Sequence, residues 1–273
     1  VRRQQFFLRL LGFMIQLISL YILLSSVWYP FSASLVKNTY FLSCLFIVFV
    51  ALYSAFTCDK QMAEVLRGRD RILTVFLLLF GIAAWYVGGL REIYMHIVSF
   101  ERLSGILLFV AATSILLGLL AETTQWEKLN FLLLVQLPVM LVLLFFELSG
   151  RFGKYSLLTG WGATVWPITF FIQYRVLQVL AGLDLRRVGI VYHLVSLWLL
   201  FFFCTREMVL WLANSNPIRS QYIQFMQPVL AFVFIAALAT MKRIGCWPVK
   251  KYPAEYLLGG SGGIIALLLV SML

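Results

Sequence analysis

Apolar residues fill this chain in long, nearly unbroken runs, and polar residues gather in short stretches between them. A helix rising about 1.5 Å per residue needs about 20 apolar residues to cross the ~30 Å hydrocarbon core of a bilayer. Runs of that length fall at 6–28, 38–57, 72–89, 103–121, 129–149, 160–180, 189–212, 223–241 and 256–273. They are apolar throughout rather than alternating, which argues against a transmembrane β-barrel. Lipid offers no partner to an unpaired backbone group, so each run is expected to close its hydrogen bonds internally as a helix. The predicted fold is all-α: a polytopic transmembrane helical bundle with about nine spanning helices, taking 1–273 as a single bundle.

Interruptions in the pattern locate the informative positions. Pro138, Pro167 and Pro228 lie inside runs, where each frees a carbonyl one turn back and favours a kink. Ile93, Ile97 and Phe100 share one helical face and Glu92, His96 and Ser99 another, the spacing of a short amphipathic helix lying on the membrane surface. The segment from Val188 to Asn214 is the one around which the others are expected to be arranged. It is apolar enough for lipid yet carries the adjacent charges Arg206 and Glu207. Each charge costs roughly 2.5–3.5 kcal/mol near a helix centre. Neighbouring positions point about 100° apart on a helix, so each charge is expected to find its partner on another helix.

Composition agrees with this reading: 62% of residues are hydrophobic, 12% are charged and the mean hydropathy is +0.94, far from the soluble range. The net charge of +11 would fit a nucleic-acid partner, but its distribution points elsewhere. Segments 1–9, 58–71, 122–128, 181–188 and 242–255 carry fourteen Lys and Arg, whereas 29–37, 90–102, 150–159 and 213–222 carry six. This bias places the N-terminus in the cytoplasm by the positive-inside rule and the basic belts at anionic headgroups. No nucleic-acid partner is expected. Cys44, Cys58, Cys204 and Cys246 have no paired spacing and are expected as free thiols. Arg2-Arg3 ahead of 6–28 reads as a start-anchor helix rather than a cleaved leader, and the chain reads as a segment of a longer protein.

The candidate chemistry lies on the side opposite the basic belts. Glu207, Glu147 and Glu92 are the candidate acid–base residues. Arg206 and Arg91 are suited to a phosphate or carboxylate, and Trp161, Trp166 and Trp211 to stacking against a sugar ring or packing at a headgroup. Together these types would suit a site for an envelope lipid or a glycan; the plainer alternative is an interhelical ion-pair network with an ordinary aromatic belt. Gly259-Gly260-Ser261-Gly262-Gly263 matches the nucleophile-elbow pattern only formally, because no α/β sheet surrounds it, and its spacing reads as close helix packing. His96 and His193 are expected near opposite faces and cannot share a metal. No metal and no cofactor are expected.

Several phrases taken in order resemble the bacterial predicted membrane proteins of the domain of unknown function 2339 family. They are Arg9-Leu10-Leu11-Gly12 with Gln16, Gly88-Gly89-Leu90-Arg91-Glu92-Ile93, Gly160-Trp161 with Trp166-Pro167, His193 with Trp198, Glu207 and Trp211, and Trp247-Pro248 before Tyr256. The resemblance implies a multi-pass helical bundle of the bacterial inner membrane, as part of a longer protein of the cell envelope, and no particular reaction. Three functions stay open: an outward-facing site handling lipid-linked or glycan substrates, a transporter or flippase, and a structural scaffold of a membrane complex. Membrane lipids are the expected partners, with other envelope proteins in the scaffold case.

Overall fold

The computed structural model describes residues 38–61, 68–149, 156–183, 186–215 and 220–272, with isolated helical positions between 12 and 25. The described residues are helical and contain no strand. The helices are α1 (Thr39–Gln61), α2 (Gly68–His96), α3 (Arg102–Thr124), α4 (Lys128–Leu132), α5 (Gln136–Ser149), α6 (Gly162–Leu180), α7 (Arg186–Ser215), α8 (Ser220–Ile244) and α9 (Ser261–Met272). A 3₁₀ turn, Leu133–Val135, joins α4 to α5, and a π-helical turn, Glu255–Gly260, leads into α9.

Among the described residues, six segments are long and apolar enough to cross a membrane: Thr39–Lys60, Thr74–His96, Arg102–Thr124, Lys128–Phe146, Arg187–Ala213 and Met226–Ile244. The run expected at 160–180 forms α6, but Thr164, Thr169, Gln173, Arg175 and Gln178 make it more polar than those six. The last run divides between the π-helical turn and α9. The first run, 6–28, falls outside the described residues apart from its isolated positions.

The chain divides into two compact units, Val1–Ile106 and Leu107–Leu273. In the first, α1 and α2 pack along each other as a hairpin. Glycines allow the close approach: a Cβ at Gly88 would lie 2.9 Å from the Cβ of Cys44. The separate surface helix expected around 92–100 does not form. Helix α2 runs through Glu92 and Ile93 to His96 before the chain turns, because Ile93 is buried and continuing the helix keeps its backbone bonded.

In the second unit α7 touches α5, α6, α8, α9 and the π-helical turn, the central position its sequence implied. Pro138 lacks the N–H that would bond the carbonyl of Leu134, and the hydroxyl of Tyr192 on α7 donates to that carbonyl at 3.0 Å. Pro138 thus falls in the first turn of α5, directly after the 3₁₀ turn. The close-packing reading of the glycine run also holds. Side chains at Gly259, Gly260 and Gly263 would collide with Leu194, Leu197 and Trp198 of α7, and the Trp198 indole donates to the carbonyl of Gly260 at 3.4 Å.

Candidate functional site

Helix α7 carries Arg206 and Glu207 a little more than two turns before its described end, both buried. The two residues pair with each other: an Arg206 guanidinium nitrogen donates to Oε1 of Glu207. Adjacent charges therefore do meet directly, which the divergence of neighbouring positions on a helix did not lead one to expect. The Cβ atoms diverge, but the long arginine arm curls around the helix and brings its head back to the carboxylate.

Glu207 has two further donors. The hydroxyl of Ser156 donates to Oε2, and the backbone N–H of Leu157 donates to Oε1 at 3.0 Å. Ser156 also accepts from the backbone N–H of Leu158 at 3.1 Å, so its oxygen fixes the turn that enters α6. The carboxylate thus ties α7 to the residues preceding α6, and both of its oxygens are engaged.

The first unit repeats this arrangement. Arg91 and Glu92, both buried near the end of α2, pair at 3.8 Å. The Asn38 side-chain amide donates to Oε1 of Glu92 at 2.7 Å, while its oxygen accepts from the N–H of Phe41 at 2.8 Å and so caps the first turn of α1. Nε2 of His96 stands 3.7 Å from Oε2 of Glu92, and the Arg91 guanidinium lies over the Tyr40 ring at 4.1 Å. In each unit an Arg–Glu dyad on the returning helix of a hairpin grips the residue that leads into its first helix. The residues gripped by side-chain bonds lie 54 and 51 positions earlier.

The remaining candidates are placed differently. Trp166 is buried in an aromatic layer, with ring centroids 6.0 Å from Phe170 and 5.0 Å from Phe203. Trp161 and Trp211 are exposed, Trp161 directly before α6 and Trp211 in the last turns of α7. Glu147 belongs to α5, but its side chain lies outside the described residues. Arg206 and Glu207 are brought together, as are Arg91 and Glu92, each pair within its own unit. Among the described residues no group of three or more His, Cys, Asp or Glu is arranged to hold a metal, and the described cysteines are free thiols.

Sequence reasoning missed most of the polar interior of the second unit. Gln136, Thr169, Gln173 and Ser196 are fully buried. The Gln136 amide donates to the carbonyl of Thr169 at 3.2 Å and the Gln173 amide to the hydroxyl of Ser196 at 3.0 Å. One turn before Ser196, Nδ1 of His193 meets the hydroxyl of Tyr256 at 2.7 Å, enclosed by the rings of Trp247 and Tyr252. Lys251 donates to the carbonyl of Ala181 just past α6, satisfying a terminal acceptor of that helix. Glutamines inside apolar runs were the available signal for the amide cluster. Asn38 immediately before an apolar run was the signal for the first cap, and nothing in the sequence marks Ser156.

Comparison with family models, with curated proteins and with solved structures finds no match to this chain.

Proposed function

We propose that this chain is a structural scaffold of a membrane complex, a multi-pass protein of the bacterial inner membrane in which Arg–Glu dyads lock helical hairpins at their outward ends. In this reading the bundle crosses the membrane about nine times with its N-terminus in the cytoplasm. It belongs with the domain of unknown function 2339 proteins that its phrases resemble, and it offers a fixed framework to other envelope proteins and to lipids. The observation that carries the reading is the engagement of both Glu207 oxygens: Arg206 and the Leu157 amide donate to one and Ser156 to the other. A general acid or base needs an atom within hydrogen-bond reach of its substrate. A site for lipid-linked or glycan substrates built on Glu207 would have to break these bonds first. Hydrogen bonds to charged groups are worth about 1.5–3 kcal/mol each, so opening the latch for every turnover is costly.

A double-mutant cycle tests this role. Ser156→Ala and Glu207→Gln should each lower the melting temperature of the detergent-purified protein. The double variant should lose less than the sum, with a coupling of about 0.5–3 kcal/mol for residues in one network. Strictly additive losses would remove the latch and with it the support for a scaffold.

The transporter or flippase reading has one observation in its favour, the buried amide cluster of the second unit, because polar groups inside membrane bundles commonly mark solute paths.

A further inference from the structure

Two atoms of the amide cluster are unaccounted for by the scaffold role. The side-chain oxygens of Gln136 and Gln173 are buried and have no protein hydrogen-bond partner, although both residues are completely enclosed. An amide oxygen left bare in an apolar interior is destabilising, and native structures rarely tolerate such atoms without an occupant. Each amide is already oriented by its NH₂ group, toward the Thr169 carbonyl in one case and the Ser196 hydroxyl in the other. Thr169 and Gln173 stand one turn apart on α6, so the Gln136 and Gln173 side chains are anchored on the same face of that helix. The Thr169 hydroxyl proton is already used, donated to the carbonyl of Val165 at 2.8 Å.

We propose that Gln136 and Gln173 form a buried binding site for a small hydrogen-bond donor, which is either water or an ammonium-type cation. The chemistry selects this class. Both unengaged atoms are amide oxygens, which accept and cannot donate, so a phosphate, a carboxylate or any other anion would meet lone pairs there. Water supplies two donors and fits a site with two to four polar partners. An ammonium group supplies more donors and would gain from the carbonyl dipoles, at a higher desolvation cost. The aromatic layer of Trp166, Phe170 and Phe203 lies between this site and Glu207 along the facing surfaces of α6 and α7, so the two polar groups are distinct.

Radiolytic footprinting of the unmodified protein in ¹⁸O-labelled water tests the site without mutation. Met140 is completely buried and lies one turn from Gln136 on α5. It should be oxidised with label from a neighbouring bound water, more strongly than the equally buried Leu177 or Ile264 even after allowance for the reactivity of sulfur. A parallel thermal melt in ammonium chloride against sodium chloride at equal ionic strength separates the occupants. An ammonium-specific rise with protected Met140 assigns a cation, and a labelled Met140 with no such rise assigns water. Gln136→Met and Gln173→Met, close in volume but without the acceptor, should each lower the melting temperature and abolish whichever signal is seen. An unlabelled Met140 together with no ammonium dependence would overturn the proposal, and so would methionine variants that melt at or above the parent temperature.

Discussion

Arg206 and Glu207 show how adjacent opposite charges are stabilised inside an apolar helix. Alone, each would cost roughly 2.5–3.5 kcal/mol near a helix centre; paired, they form a neutral unit whose carboxylate also accepts from Ser156 and the Leu157 amide. Removing one member is therefore worse than removing both. Arg206→Ala should cost about 3–5 kcal/mol, the range for a broken buried pair, measured by thermal or denaturant unfolding in detergent. Arg206→Leu combined with Glu207→Leu should recover part of that loss, although the Ser156 turn stays unfastened. The charges themselves were plain in the sequence because they interrupt an apolar run. Their partner was not, because helical geometry fixes where Cβ points and leaves the reach of an arginine arm open. Ser156 was invisible for a related reason: a serine in a connecting stretch acquires its role only once the turn into α6 brings it to α7.

The element scale repeats one device, a hairpin closed by a dyad on its returning helix, in α1–α2 and in α6–α7. Near the end of each helix whose Glu grips the earlier residue, Arg-Glu is followed by an aliphatic or sulfur-bearing side chain, Ile93 or Met208, so a faint sequence echo exists. It was too short to be read as a repeat without the bonds to Asn38 and Ser156. Helix positions were legible because a spanning helix must be long and apolar. The surface helix expected near residue 95 failed because amphipathic spacing at the end of a long helix looks the same whether the helix stops or continues. Packing of α9 on α7 gives a sharp prediction. Gly→Ala within a helix gains up to about 1 kcal/mol in propensity, but a Cβ at Gly263 would lie 2.1 Å from the Trp198 indole nitrogen. Overpacking of that kind costs about 1–3 kcal/mol, so Gly263→Ala should lower the melting temperature, and Trp198→Leu should relieve much of the loss. Gly118, with nothing within 4 Å of its added Cβ, supplies the control: Gly118→Ala should be neutral or stabilising.

Across the whole molecule, the distribution of fourteen and six basic residues predicts orientation, and the described surface offers places to test it. Ser99 and Thr123 are both exposed. In a cysteine-free background, a thiol reagent unable to cross the membrane should label Ser99→Cys in intact cells and spare Thr123→Cys until the cells are opened. The reverse pattern would overturn the proposed orientation. Composition made the membrane class legible at this scale, whereas the division into two units depends on packing that no apolar run encodes. The claim that matters most is that Glu207 holds the bundle together and does not carry out a reaction. Complementation of a deletion strain by Glu207→Gln tests it most directly, with folded protein quantified in the same membranes. Gln keeps the shape, and its single oxygen can still accept from the Leu157 amide, but an NH₂ group replaces the oxygen that accepts from Ser156 and the charge that holds Arg206 is lost. The scaffold account predicts less folded protein and a lower melting temperature, with full complementation once expression restores the folded amount. Normal folded levels with lost complementation would contradict it and assign Glu207 to a working site.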